Sequence, residues 1–546
     1  MVKIVEKLDA LFAPWNRSDA PGVIVGVAHH GERIYERGFG LASIEHATAN
    51  TPQTRMRIGS TTKQFCCFGI LTLAEQGKLK VDEPVRTYLP ELTGVAGDPT
   101  LLQLMQHTGG VRDPMGSWFM MNFGSFGHMP AGSSMQLLQR FTERNFAPGT
   151  SMAYSNAGFM MLSLVIERVS GKSWEAFFAE HVFEPLRMNQ TRLLRSDLDI
   201  VPNMATLHMP QAGGGWRRGI YPCDELLGSG GLISTLDDML VWAAQVRGPQ
   251  RAIGSAALWK RLLERTQFAN GIESGLGLGL AREDFRGVEI VHHAGATLGA
   301  QCQMITVPAH ELDIVIMTNR MDASAPMLAL KVIEAVLDLT PTEKVAPAAE
   351  YPAIHGAWYG SRSRTLLSIK PTKPAPDAEE ALLLSLYHAP LKFLLKRGSG
   401  LAMPPSPMRN VELRSIPTEP KPSSLEVHVG GDAERFERLP DSAPTTAELM
   451  PTLGGRYRYV EFGTDVELIC KNDKLYLDFK PTIGRAQWEL TPYSANVLGC
   501  GTFHSIPMLG LPNTASMNVE RDAAGKVRGF YLNSDRFRNV WFARNA

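Results

Sequence analysis

The sequence predicts an α+β fold in which a part mixing helices and strands is followed by two small antiparallel β-barrels. Three observations predict it. Helical and strand periodicities mix up to about residue 340. The composition then changes at Thr340-Pro341-Thr342-Glu343-Lys344-Val345-Ala346-Pro347-Ala348-Ala349, a Pro/Ala linker beyond which short alternating runs dominate. Those runs form two segments with matching ends. One opens on Gly356-Ala357-Trp358-Tyr359 and closes on Phe436-Glu437-Arg438; the other opens on Gly455-Arg456-Tyr457 and closes on Phe542-Ala543-Arg544. At ~150 residues per domain, 546 residues suit three or four domains. The expected boundaries are 1–340, 351–440 and 451–546.

The elements follow in chain order. Met1 to Asp9 reads as an amphipathic helix. Val23-Ile24-Val25-Gly26-Val27-Ala28 passes through His29-His30-Gly31-Glu32 into Arg33-Ile34-Tyr35, and the turn glycine between β-branched flanks predicts a hairpin. A helix follows Ser60 and stops at Gly77. Apolar residues at helical spacing run from Asn156 to Arg168 and end near Gly171. Ile314-Val315-Ile316-Met317 predicts a short buried strand, with a helix around residues 327–337 after it. Pro440-Asp441-Ser442-Ala443-Pro444-Thr445-Thr446 reads as a second linker. Lys471-Asn472-Asp473-Lys474 and Asp522-Ala523-Ala524-Gly525-Lys526 mark turns between strands.

Composition narrows the function classes. Lys+Arg and Asp+Glu are equal at 55 each, so no charge excess points to nucleic acid or an anionic membrane. The six cysteines lack C-x-x-C spacing and are too sparse for a disulfide scaffold, so buried free thiols are expected. No run approaches ~18 apolar residues. The N-terminus does not read as a leader. The expected location is cytoplasmic, or periplasmic if a leader has been removed.

Three short stretches carry chemistry. Ser60-Thr61-Thr62-Lys63 places a hydroxyl and an amine three residues apart at a helix start, where they share a face. A seryl nucleophile needs such an adjacent base, and the helix N-terminus adds positive potential beside it. An N-cap serine with a solvated lysine behind it fits the same four residues. Tyr154-Ser155-Asn156 offers a proton relay and an amide-binding side chain; a loop Asx turn with a packed tyrosine is the alternative. Val291-His292-His293-Ala294-Gly295-Ala296 offers a strand with a polar side chain and an unencumbered backbone N–H for an oxyanion. Adjacent histidines on a strand face opposite sides and no third ligand follows, which disfavours a metal site. A G-x-S-x-G elbow, H-E-x-x-H and Walker A are absent, and Gly275-Leu276-Gly277-Leu278-Gly279 lacks a dinucleotide-binding context.

The order S-x-x-K, Y-x-N, H-x-G, with about 90 and about 140 residues between, resembles the penicillin-recognising serine hydrolases: class C β-lactamases, DD-peptidases, D-aminopeptidases and related esterases. Leu104-Met105-Gln106-His107-Thr108-Gly109-Gly110 and Gly228-Ser229-Gly230-Gly231-Leu232-Ile233-Ser234-Thr235 fit the same family. The resemblance implies a β-lactamase/transpeptidase-like domain, an antiparallel sheet flanked by helices. The trailing segments resemble the eight-stranded, lipocalin-like barrels of the D-aminopeptidase branch. By matching motif, it implies that Ser60 is the nucleophile, Lys63 its base and Tyr154 the relay to the leaving amine. It also implies that Asn156 and Gly295 border the substrate, that His293 replaces the third-motif lysine, and that the N–H groups of Ser60 and Ala296 form the oxyanion hole.

In that branch a loop of the last barrel carries an acid for the substrate's ammonium. The matching stretch, residues 503–513 with Met508 and Leu509, has no Asp or Glu, and a buried ammonium left unpaired there would be costly. The expected activity is therefore cleavage after a D-residue such as D-Ala in a linear, hydrophobic peptide. Linearised microcystin, cut between D-Ala and L-Leu by a peptidase of this type, is such a substrate. The alternatives are a D-aminopeptidase or D-amino-acid amidase drawing on Asp224 or Glu225, an esterase, and a non-catalytic penicillin or peptide sensor. No metal or organic cofactor is expected. The expected partner is a small peptide containing a D-amino acid, with a homodimer left open and neither nucleic acid nor a membrane span involved.

Overall fold

The computed structural model describes all residues except 1, 121–128, 212, 222–223, 272, 341–343, 404–410, 430–431, 480–485, 503–513, 535 and 546. The predicted loop at 503–513, with Met508 and Leu509, and Cys223 lie outside the described residues.

The first part is built on α1 (Val2–Phe12), β1 (Val23–His29), β2 (Glu32–Phe39), α2 (Lys63–Glu75), α3 (Asn156–Ser170) and α4 (Leu236–Arg247). It continues through β3 (Arg265–Gln267), β4 (Glu273–Gly277), β5 (Ala281–Phe285), β6 (Val288–Thr297), β7 (Ala300–Val307), β8 (Leu312–Thr318) and α5 (Ala325–Leu337). The eight strands form one sheet in the order β3-β4-β5-β6-β7-β8-β1-β2, with antiparallel neighbours throughout. The hairpin predicted at 29–32 is β1–β2, with positive φ at both His30 and Gly31, the backbone of a tight two-residue turn.

The period-2 pattern of β8 explains the layering. Leu312, Ile314 and Ile316 face a core shared with α1 and α5, while Val315 and Met317 face a second core shared with α2, α3 and α4. A strand apolar on both faces needs cover on both, which is why helices flank this antiparallel sheet.

Beyond residue 344 strands dominate the regular structure of the described residues. Nine strands from Gly356–Gly360 to Asp432–Arg438 form one sheet whose edges are Ala389–Phe393 and Leu395–Arg397. Those edges are consecutive in the chain. At Leu394 the backbone leaves one neighbour for the other, so the sheet wraps nearly into a barrel around Trp358, Leu367, Leu384 and Phe436. The Pro/Ala stretch read as a linker is partly structural here. The Leu382 N–H donates to the Ala346 carbonyl and the Ala346 N–H to Leu394. Eight strands from Gly455–Tyr459 to Val540–Arg544 then close fully into a barrel around Tyr457, Leu477, Phe530 and Phe542. The second linker runs into a helix, Thr446–Leu453, fixed by a Thr445/Glu448 capping box. Among the described residues, no helix is long and apolar enough to cross a membrane.

The last barrel is locked onto the first part. The buried Arg112 donates to the carbonyls of Arg538 (2.9 Å) and Asn539 (2.7 Å) and to the Glu461 carboxylate (2.5 Å). Replacing Arg112 with alanine removes the only cation paired with the buried Glu461 carboxylate among the described residues and leaves two carbonyls without this donor. A loss of about 3–5 kcal/mol in unfolding free energy is expected from denaturant titration; a loss under about 1 kcal/mol would contradict this account.

Candidate active site

Ile58 donates its N–H to Leu232, and the Thr62 hydroxyl donates to the Gly59 carbonyl while accepting from the Leu232 N–H. These bonds fold residues 59–62 into one 3₁₀ turn ahead of α2. Ser60 lies in that turn and Lys63 is the first residue of α2. Neither helix start is capped by the Ser60 hydroxyl, so the N-cap alternative does not hold, and Lys63 is fully buried rather than solvated.

The Lys63 Nζ has three partners: Ser60 Oγ at 3.1 Å, Asn156 Oδ1 at 2.9 Å and the Ser229 carbonyl oxygen. The last two only accept. A neutral amine has two N–H bonds for them, which leaves its lone pair for the hydroxyl proton of Ser60. Burial, and then the nearby positive charge of Arg536, hold the Lys63 amine well below its ordinary pKa. Electrostatics thus favour loss of the Lys63 proton, and the geometry then turns the freed lone pair toward the Ser60 hydroxyl.

Ser155 caps α3 by accepting from the Gly158 N–H at 3.3 Å, which places Asn156 in the first turn and points it at Lys63. Tyr154 precedes the cap. Its hydroxyl is within hydrogen-bonding reach of Ser60, its ring lies 4.8 Å from Lys63 Nζ, and burial holds its phenol well above the ordinary pKa. On the other side, β6 runs directly against the nucleophile turn. A Cβ at Gly295 would stand 1.8 Å from the Ile58 oxygen, and one at Gly59 would stand 2.6 Å from the Ala296 nitrogen. These two positions require glycine for close backbone approach. The Thr61 hydroxyl bonds the His293 carbonyl at 3.4 Å.

The two strand histidines separate as the pleat demands. His292 faces Glu283 (3.2 Å) and Gln303 (3.2 Å), while His293 lies on the Tyr154 side. His293 Nδ1 bonds the Ala294 carbonyl at 2.6 Å, which fixes the proton there; Nε2 is buried and has no hydrogen-bond partner among the described residues. Burial, reinforced by Lys63, lowers its pKa to about 3, so His293 brings no positive charge. The unfolded chain protonates this side chain below pH ~6.5 and the folded chain does not, so stability falls as pH drops from ~6.5 toward 3. Melting temperatures between about pH 7 and about pH 4 should fall less steeply in His293→Gln; an identical slope would contradict this.

Three participants escaped the sequence reading as functional groups. His107 stacks on Tyr154 with ring centroids 4.3 Å apart and accepts the Ser155 N–H at 3.0 Å. Asp113 accepts the backbone N–H groups of Met115 (2.9 Å) and Asn156 (3.3 Å). Ser229 contributes a main-chain carbonyl, which no side-chain pattern announces. Glu225, considered for an amine site, lines a pocket with Asn156 and Ser229, and its carboxylate accepts the N–H groups of Gly132 and Ser134. Among the described residues, Cys66, Cys67, Cys302 and Cys500 are the expected buried thiols, but Cys470 is exposed. No described group of three or more His, Cys, Asp or Glu side chains is placed to hold a metal ion.

Comparison with known proteins follows the same outline. A family described as Beta-lactamase matches residues 3–337. The D-aminopeptidases of Brucella canis and Brucella anthropi are each 25% identical, over 529 and 531 residues, covering 96% of this chain and 94% of theirs. Among solved structures, the octameric penicillin-binding protein homologue from Pyrococcus abyssi aligns over 99% of both chains at 17% identity and a TM-score of 0.55. A penicillin binding protein from Bacillus halodurans covers 60% of this chain and 98% of its own, at 22% identity and a TM-score of 0.52. At these identities the structural likenesses speak to the fold.

Proposed function

The chain belongs to the Beta-lactamase family, and from that premise we propose that it is a serine peptidase that cleaves, through an acyl-enzyme, the bond after a D-residue in a linear, blocked peptide. The serine-hydrolase class follows from the family. The D-residue, the blocked amine and the residue roles are our reading.

One observation carries the mechanism: the buried Lys63 amine, with two acceptor-only partners and Ser60 Oγ as its third. Lys63 takes the seryl proton as Oγ attacks the scissile carbonyl. The N–H groups of Ser60 and Ala296 stabilise the oxyanion. Tyr154 passes a proton to the leaving amine, and water then releases the acyl group. Asn156 gives its oxygen to Lys63, which leaves its NH₂ for the substrate's amide carbonyl. His293 presents a buried, unprotonated Nε2 on the same strand face as Gly295.

The names of the Brucella relatives favour a second reading, a D-aminopeptidase acting on a free amine. Against it, the nearby carboxylates of Asp113 and Glu225 already accept backbone N–H groups. The case for a hydrophobic acyl portion rests on the sequence of residues 503–513.

The test compares an N-acetyl peptide containing D-Ala–L-Leu, linearised microcystin and D-Ala amide by chromatography and mass spectrometry. Cleavage of the first two, with D-Ala amide untouched, is expected. Cleavage of D-Ala amide alone would replace this reading with the D-aminopeptidase. A stable acyl-Ser60 mass without turnover would mark a sensor. Added chelator is expected to leave the rate unchanged.

A further inference from the structure

One residue holds Tyr154 at three points. His107 follows the short helix Leu101–Met105 and has a φ of 59°, in the left-handed region that few residues other than glycine occupy. Residues 107–110 then run alongside the segment that leads into α3. The carbonyls of His107, Thr108 and Gly110 accept the N–H groups of Ala153 (3.1 Å), Gly149 (2.8 Å) and Asn145 (2.8 Å). The imidazole Nδ1 accepts the Ser155 N–H at 3.0 Å. The residues before and after Tyr154 are therefore both tied to His107.

The ring supplies the third point. It is buried and lies against Tyr154, with centroids 4.3 Å and planes 22° apart, and against Phe159 of α3 at 5.0 Å. Because Nδ1 accepts, the ring proton is on Nε2. Burial, and then Lys63, hold the His107 pKa well below its ordinary value, so the ring is neutral. A ring this buried acts on a substrate only through its neighbours. Tyr154 is the neighbour with a proton to move. As the C–N bond breaks, its electron pair goes to the leaving nitrogen, which takes the phenol proton; the phenolate regains the proton that Lys63 took from Ser60. Such a transfer depends on the phenol's position, and a displacement of about 1 Å can cost about 10²-fold in rate.

We propose that His107 is a positioning residue that fixes the Tyr154 phenol beside Ser60 and Lys63 for proton delivery to the leaving group. This rests on the relay role given to Tyr154 above. Its consequence is a leaving-group dependence. A departing amine needs the Tyr154 proton, whereas p-nitrophenolate departs without one. Loss of His107 therefore penalises an amide more than an activated ester of the same acyl group.

The test measures kcat/KM for an amide and a p-nitrophenyl ester of one acyl group: N-acetyl-D-Ala, or D-Ala itself should the parent enzyme prefer a free amine. His107→Asn keeps an acceptor near the Nδ1 position and tolerates the left-handed backbone, but removes the ring. Its amide-to-ester ratio should fall at least about tenfold below that of the parent. His107→Phe keeps a ring against Tyr154 and loses the acceptor. Its ratio should stay at least about threefold above that of Tyr154→Phe. Circular dichroism establishes which variants are folded, and either one alone decides. Adding His107→Asn to Tyr154→Phe should leave the ratio where Tyr154→Phe set it. An unchanged ratio in His107→Asn, a ratio in His107→Phe as low as in Tyr154→Phe, or a further drop in the double variant would overturn the proposal. Failure of the relay reading looks different: Tyr154→Phe would itself lower amide and ester equally, and the role of His107 would fall with it. A parent that turns over neither substrate overturns both.

Discussion

Ser60→Ala is expected to lower turnover of any amide or ester substrate by roughly 10⁴-fold or more, the scale seen when a catalytic serine is removed. The fold should not change. The Ser60 hydroxyl caps neither the 3₁₀ turn nor α2, and the turn is tied down by Thr62, Gly59 and Leu232. Circular dichroism and melting temperature should therefore stay close to those of the parent. Intact mass after a brief incubation with an activated D-Ala ester should show an acyl adduct on the parent and none on the variant. An adduct on the variant, or full activity, would remove Ser60 from the mechanism.

Lys63→Arg carries the second large effect. Arginine retains donors for Asn156 Oδ1 and the Ser229 carbonyl but stays protonated at any working pH, so it has no lone pair for Ser60. Turnover should drop by about 10³-fold or more. Lys63→Met should drop it by a similar factor, although it fails differently, leaving both buried acceptors without a donor. Agreement between two chemically opposite replacements would identify the base, because the hydrogen bonds differ and only the lone pair is missing from both. The double variant with Ser60→Ala should be little slower than Ser60→Ala alone, since the two groups act as a unit. The pH profile has a fixed sign. Burial lowers the Lys63 pKa, so the reactive neutral form is present above that lowered value, and the rate climbs with pH on the acid side. A rate that rises only near the ordinary lysine pKa of ~10.4 would show that Lys63 is charged in the working enzyme.

Much of this protein was legible in the chain. The His29–Glu32 turn, the helices stopping at Gly77 and Gly171, and the strand at 314–317 are local features, and each rests on interactions spanning a few residues. The repeated ends of the last two segments were readable as well, because a small barrel must begin and finish with strands that pair with each other. The eight-strand count holds for the second barrel. In the first, the same stretch of chain serves as both edges by bending at Leu394, which alternation alone does not reveal. The Pro/Ala stretch misled for a related reason, since proline and alanine suit a linker and an edge-pairing segment equally well.

The sequence by itself determined which residue types are present and in what order: a serine three residues from a lysine, a tyrosine two from an asparagine, a histidine two from a glycine. That order is enough to name a family and nominate a nucleophile. The tertiary structure decided what those residues are chemically. The Lys63 amine gives up its proton more readily than a solvated lysine because α2, α3 and the 228–235 segment close over it, and a charge on it is costly there. Asp113, His107 and the Ser229 carbonyl join the site through contacts spanning 43 to 166 residues of chain. Arg536 arrives from the second barrel, 382 residues beyond Tyr154. Spacing along a chain reports only neighbours on one helix or strand, whereas burial and the meeting of distant charges exist only once the layers have packed.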